Sequence, residues 1–177
     1  MDQGNDAVHI REIINRHKIL ILGPETGIKG LFAGPLWYYF TSIGYLLFAG
    51  LPAGSVFMLI VLNVTTTAVL MLILAKKVSP IAALVVGFSL QFFWWFYDAS
   101  RYGFNPFPLV SLSIILLILL AQAFEGKNRY LLLAAIPAGL TFHTEVAGGV
   151  AIIIFYLLSS LILVITKKIP LKFLFLG

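Results

Sequence analysis

The chain has 177 residues, 60% of them hydrophobic and only 11% charged, with a mean hydropathy of +1.02 and a formal charge of +5. Such hydropathy excludes a soluble globular domain and is the composition of an integral membrane protein. The absence of cysteine excludes a disulfide framework and a thiolate nucleophile, and cations scattered between apolar runs, rather than gathered into a basic arm, exclude nucleic acid as a partner.

The opening MDQGNDAVHIREIINRH is the most polar part of the chain, and it is not a signal peptide, because no apolar run starts before about residue 31. Asp6 stands where a helix N-cap would, and Ala7, Ile10, Ile13 and Ile14 recur at helical spacing opposite Arg11, Glu12 and Arg16. The pattern predicts an interfacial helix of about three turns. Gly23, Pro24, Gly27, Gly30, Gly34 and Pro35 then punctuate a loop that returns to the membrane. Residues 35–49, rich in Trp37, Tyr38, Tyr39 and Tyr45, predict a short helix in the external interface. If that helix spans instead, the N-terminal tail lies in the cytoplasm and the later topology is unchanged.

Further apolar runs follow at 55–75, 81–97, 107–124, 130–142 and 146–165. They predict about five spans over 55–166, after an external segment 1–54 with amphipathic helices. Lys76 with Lys77, Lys127 with Arg129, and Lys167 with Lys168 mark the cytoplasmic junctions by the positive-inside rule. The carboxylates sort to the other side: Asp2, Asp6, Glu12, Glu25, Asp98 and Glu145 fall in external segments, and only Glu125 is cytoplasmic. The run 130–142 rises only about 20 Å against a hydrocarbon core of about 30 Å, so His143, Thr144 and Glu145 sit below the external surface. Ionisable groups at that depth are costly and mark a functional site facing the bundle interior. The aromatic stretch FFWWFYDASRYGF reads either as an interfacial belt or as a wall contacting a lipid or a sugar face.

Two stretches carry a family resemblance. DQGNDAVHIREII, followed by LGPETGIKGLFAGPLWYYFTSIGYLLFAG, resembles the first external loop of GT-C membrane glycosyltransferases. That group includes the protein O-mannosyltransferases of glycosyltransferase family 39, the aminoarabinose transferases of lipid A and the Rgt-like bacterial enzymes. SRYGFNPFPLVSLSIILLILLAQAFEGKNRYLLLAAIPAGLTFH is similar to the segment of those proteins in which an external Ser-Arg-x-x-x-Asn-Pro loop precedes a span, a short basic turn and a helix ending in His.

The resemblance implies an all-α polytopic membrane bundle whose external loop carries juxtamembrane helices, with residues 1–177 forming part of a single GT-C transmembrane domain. It also implies a helix before Asp2 and a further hydrophobic segment starting at IPLKFLFLG, so the chain is expected to be an N-terminal fragment. The implied activity is inverting transfer of a sugar from a polyprenyl-phosphate carrier to a hydroxyl of a lipid, glycan or protein, at the outer face of the plasma membrane. Asp2, in its Asp-Gln context, is the implied general base. An exposed aspartate is ionised at neutral pH without assistance.

Asp6 is the possible second acid, with capping as its other reading. Arg101 is the expected contact for the lipid phosphate, unless it pairs with Asp98 or anchors the loop. His143 reads either as a phosphate or acceptor contact or as a satisfied interior histidine, Glu145 either as a site carboxylate or as half of a buried ion pair, and Asn105 as a turn residue first and a ligand contact second. No cofactor is expected. Asp2, Asp98 and Glu145 could converge on a divalent cation, but no metal-spacing motif calls for one. The competing reading is a transporter or channel subunit in which Asp98, Arg101, His143 and Glu145 line a path for an ion or anionic solute.

Overall fold

A computed structural model describes residues 2–166, with side chains from Gly4 onward. Lys167, Lys168 and the hydrophobic segment expected from residue 169 lie outside the described residues, as does the Asp2 side chain. The described chain is all-helical: α1 (Asp2–Arg16), α2 (Leu36–Leu47), α3 (Ala53–Lys77), α4 (Pro80–Gln91), α5 (Trp94–Ala99), α6 (Pro108–Phe124), α7 (Arg129–Thr144) and α8 (Val146–Ile165). Of these, α3 with 25 residues and α8 with 20 are long and apolar enough to cross a membrane; α4 and α6 are shorter apolar helices.

The run 81–97 divides into two helices. α4 starts where Ser79 accepts from the Ala82 N–H at 3.1 Å with Pro80 in the first turn, and it ends at Gln91 with Phe92 as its C-cap. Phe93 then turns extended, and α5 begins at Trp94. The division falls in the unbroken aromatic run 92–97, whose rings lose side-chain freedom against a helical turn. α4 packs on α3, with Gln91 Nε2 donating to Thr67 Oγ1 at 3.0 Å.

Two apolar cores hold the molecule together. One joins α6, α7 and α8 through Leu116, Leu120, Ala134, Ala138 and Leu163. The other lies under α1, where Ala7 and Ile10 pack with Trp37, Tyr38 and Tyr45 of α2, Leu59 of α3 and Phe107. The apolar stripe of α1, expected on lipid, is therefore covered by protein. The N-cap reading of Asp6 is corrected as well: α1 begins at Asp2, so Asp6 lies a full turn inside it, on the stripe it shares with Ile10 and Ile13.

α2 and α3 approach through two glycines, each with its backbone where the other's Cβ would stand. α3 and α6 meet through a buried pair, Ser111 Oγ donating to Asn63 Oδ1 at 2.7 Å. They also end together, because Lys77 of α3 and Lys127 both pair with Glu125 beyond α6. At the other end, Asn105 Nδ2 donates to the Thr144 carbonyl at 2.8 Å and so ties the segment before α6 to the turn between α7 and α8. The Lys76–Lys77 and Lys127–Arg129 junctions thus share one end of the helices, and Asn105 and Glu145 share the other.

Candidate functional site

The end opposite the lysines carries an open cleft of about 600 Å³ whose polar walls are Asn5, Asp6, Glu25, Thr26, Asn105 and Glu145. Four distant chain segments build it. α1 supplies Asn5 and Asp6, and the segment before α6 supplies Asn105. The break between α7 and α8 supplies Glu145. The loop after α1 supplies Glu25 and Thr26, held in a tight reversal by the Gly23 N–H to Ala33 carbonyl bond at 2.9 Å, its reciprocal at Pro24, and an isolated bridge between Glu25 and Phe32.

Asp6 is only 7% exposed, and its carboxylate accepts from Trp37 Nε1 at 2.8 Å. Burial pushes the Tyr38 hydroxyl well above the ordinary tyrosine range and the negative charge of Asp6 adds to this; Tyr45 moves the same way, mainly through burial, with Arg11 opposing. Both tyrosines therefore stay protonated beside the carboxylate at any physiological pH. Asp6 also lines a narrow void with Trp37, Tyr45, Pro52, Ser55 and Gly103. Pro52 and Gly103 go on to line an apolar groove of about 490 Å³ with Phe48, Phe57, Ile60 and Arg101. Asp6 accordingly stands between a polar cleft and an apolar groove with a guanidinium on its wall.

Arg101 is exposed, its guanidinium lying 5.5 Å from the centre of the Tyr97 ring, and it makes no ion pair with the buried Asp98. Glu145 caps α8: its carboxylate accepts from the Ala147 N–H at 3.2 Å and from the Gly148 N–H, which accounts for the helix break. It forms no buried ion pair among the described residues. His143, in the last turn of α7, packs against Gly34, where an added Cβ would come within 1.8 Å of Nδ1. That nitrogen is buried without a hydrogen-bond partner.

The structure therefore brings Asp6, Asn105 and Glu145 to one cleft, sets Arg101 in the adjoining groove, and places His143 on the wall of neither. No three described Asp, Glu or His side chains are grouped to hold a metal ion. Sequence reasoning counted Glu25 among the external acids but not as a wall of the site; only the chain reversal at Gly23 and Ala33 brings it across from Asp6. Trp37 belongs to the aromatic run expected at the interface, and no sequence signal distinguishes it from Tyr38 as a donor to Asp6.

The chain matches no protein-family model, no curated protein and no solved structure.

Proposed function

We propose that the chain is part of a multi-pass membrane glycosyltransferase that moves a sugar from a polyprenyl-phosphate carrier to an acceptor hydroxyl, with its site on the outer side of the plasma membrane. The supporting observation is the position of Asp6 between two unlike cavities, a polar one that suits a hydroxylated acceptor and an apolar one, lined by Arg101, that suits a lipid phosphate. The lysine junctions at the opposite end are consistent with that sidedness.

In the proposed reaction the acceptor oxygen attacks the anomeric carbon from the face opposite the phosphate. Its proton passes to an aspartate, Asp2 as base with Asp6 one turn along the same helix, as the new C–O bond forms and the bond to the phosphate oxygen breaks with its electron pair. The departing lipid phosphate needs charge stabilisation, and the Arg101 guanidinium offers two parallel donors. Asn105 and Glu145 shape the acceptor side. The mid-bundle polar groups weigh against a solute path: Asn63 is bonded to Ser111 and Gln91 to Thr67, rather than left to line a wet channel.

The test is release of polyprenyl phosphate by the full-length protein in lipid nanodiscs, supplied with a panel of polyprenyl-phosphate sugars. Turnover that falls about 10²–10⁴-fold in Asp2→Asn is expected. No turnover with any donor, together with no binding of polyprenyl phosphate, would overturn the reading. Wild-type rates in Asp2→Asn would remove that residue from the base role.

A further inference from the structure

The segment that follows α1 is held in an unusual way. Residues 18–22 form no regular secondary structure, and the Tyr39 hydroxyl bonds both backbone groups of Leu20, accepting from its N–H at 2.9 Å and donating to its carbonyl at 3.0 Å. Leu20 turns inward onto the core beneath α1, and its neighbours Ile19 and Ile21 turn outward, each 81% exposed. The backbone is pinned, so this exposure belongs to the fold.

Tyr39 also tells which side of the molecule this segment occupies. On α2, positions 43, 46 and 47 follow Tyr39 at helical spacings of four, seven and eight, and so share its face. Ile43, Leu46 and Leu47 are all exposed there, while Trp37, Tyr38, Thr41 and Tyr45 occupy the buried face. The segment therefore continues an outward apolar face of α2. A contiguous apolar surface of this kind on a folded chain marks an interaction site. Its polar edge is basic: Arg16 and Lys18 both lean on Glu12, at 3.9 and 2.8 Å, and the hydrogen bond from Lys18 holds the Glu12 carboxyl below its ordinary range. Two exposed cations against one carboxylate leave a positive excess, and exposed pairs of this kind are readily exchanged for another anion.

We propose that residues 16–22 and the outward face of α2 form one platform that rests on an anionic lipid surface. Ile19, Ile21, Ile43 and Leu46 enter the boundary of the acyl chains, and Arg16 and Lys18 meet lipid phosphates. The branched apolar side chains with a cationic rim match that boundary, where hydrocarbon gives way to phosphate. A peptide lying along residues 18–22 alone would leave the α2 face uncovered. The proposal rests on the membrane reading of the chain but is independent of the transferase activity.

The chain has no cysteine, so single labels can be introduced cleanly. The full chain is reconstituted in phosphatidylcholine nanodiscs containing lipids brominated on the acyl chain, with or without phosphatidylglycerol. It carries a bimane label at Ile21→Cys, Leu46→Cys, Val64→Cys on exposed α3, or Asn5→Cys in the cleft. Quenching of about twofold or more is expected at positions 21, 46 and 64, with none at position 5. At position 21 it should deepen with phosphatidylglycerol and lose that dependence in the Arg16→Gln, Lys18→Gln double variant. An unquenched label at 21 beside a quenched one at 64 overturns the platform, whether water, a peptide or a second copy covers the segment. Quenching at 21 that ignores phosphatidylglycerol overturns the phosphate contacts. An unquenched label at 64 refutes the membrane reading itself.

Discussion

Replacing Gly44 by alanine tests the packing that supports the site. The added Cβ would stand 2.1 Å from the Gly54 carbonyl oxygen and 2.6 Å from its carbon, with Met58 Cγ at 2.8 Å. Met58 can rotate away, but the Gly54 backbone cannot, so α2 must lift off α3. Overpacking of this kind costs about 1–3 kcal/mol, against a gain of about 0.5–1 kcal/mol from replacing glycine within a helix. With rigid backbone at 2.1 Å the cost lies in the upper half of that range, about 2–3 kcal/mol, so the steric term wins and leaves a net loss of about 1–2.5 kcal/mol, or about 2–10 °C in Tm for a chain of this size. Gly139 supplies the control: no atom lies within 4 Å of its added Cβ, so Gly139→Ala gains only the helical term and raises Tm by about 1–4 °C. Thermal unfolding of both variants in one detergent, followed by tryptophan fluorescence, reads the difference. A Gly44→Ala protein that melts at or above the wild type would refute the close α2–α3 approach, and with it the placement of Trp37 against Asp6.

Trp37→Phe keeps a ring in the core and removes one hydrogen bond to the charged, buried Asp6, so a loss of about 1.5–3 kcal/mol is expected in the same unfolding assay; a change under about 0.5 kcal/mol would deny the bond. Ser111→Ala leaves Asn63 Oδ1 without its donor and should cost about 0.5–2 kcal/mol, whereas the double variant with Asn63→Leu should recover most of that loss. The Glu125 carboxyl is held below the ordinary glutamate range chiefly by its hydrogen bond from Lys77. Its folded pKa is depressed, so the link between the ends of α3 and α6 contributes above the unfolded glutamate pKa of about 4.3 and is lost as pH falls through the folded value. Unfolding measured across that acid range should show a loss in the wild type that Glu125→Gln lacks.

The helices of this protein were legible where local chemistry decides them. The apolar lengths of 55–75 and 146–165 mark the two helices long enough to span, but the same criterion also expected spans at 81–97, 107–124 and 130–142, where the described helices are shorter. A break before α8 was legible too, though neither its extent nor its cause: His143 and Thr144 close α7, and only Glu145, which caps α8, leaves the helix. Helical periodicity reveals which residues share a face but not what covers that face. The stripe of Ala7, Ile10 and Ile13 suits lipid and protein equally well, and only the docking of α1 on Trp37, Tyr38 and Tyr45 shows that protein covers it.

By itself, then, the sequence determined that the chain is helical and membrane-like, that cations mark certain junctions and carboxylates others, and where several helices begin. These follow from composition, from period and from interactions within a few residues. Only the tertiary structure decided that Asp6 is buried within α1 on a tryptophan N–H, that Glu25 closes a cleft with Asn105 and Glu145, and that Ile19 and Ile21 face outward beside α2. The physical reason is distance along the chain. The Asp6 and Trp37 pair spans 31 residues and the Asn105 and Thr144 pair 39, and no local rule selects one partner from the many that share the same chemistry.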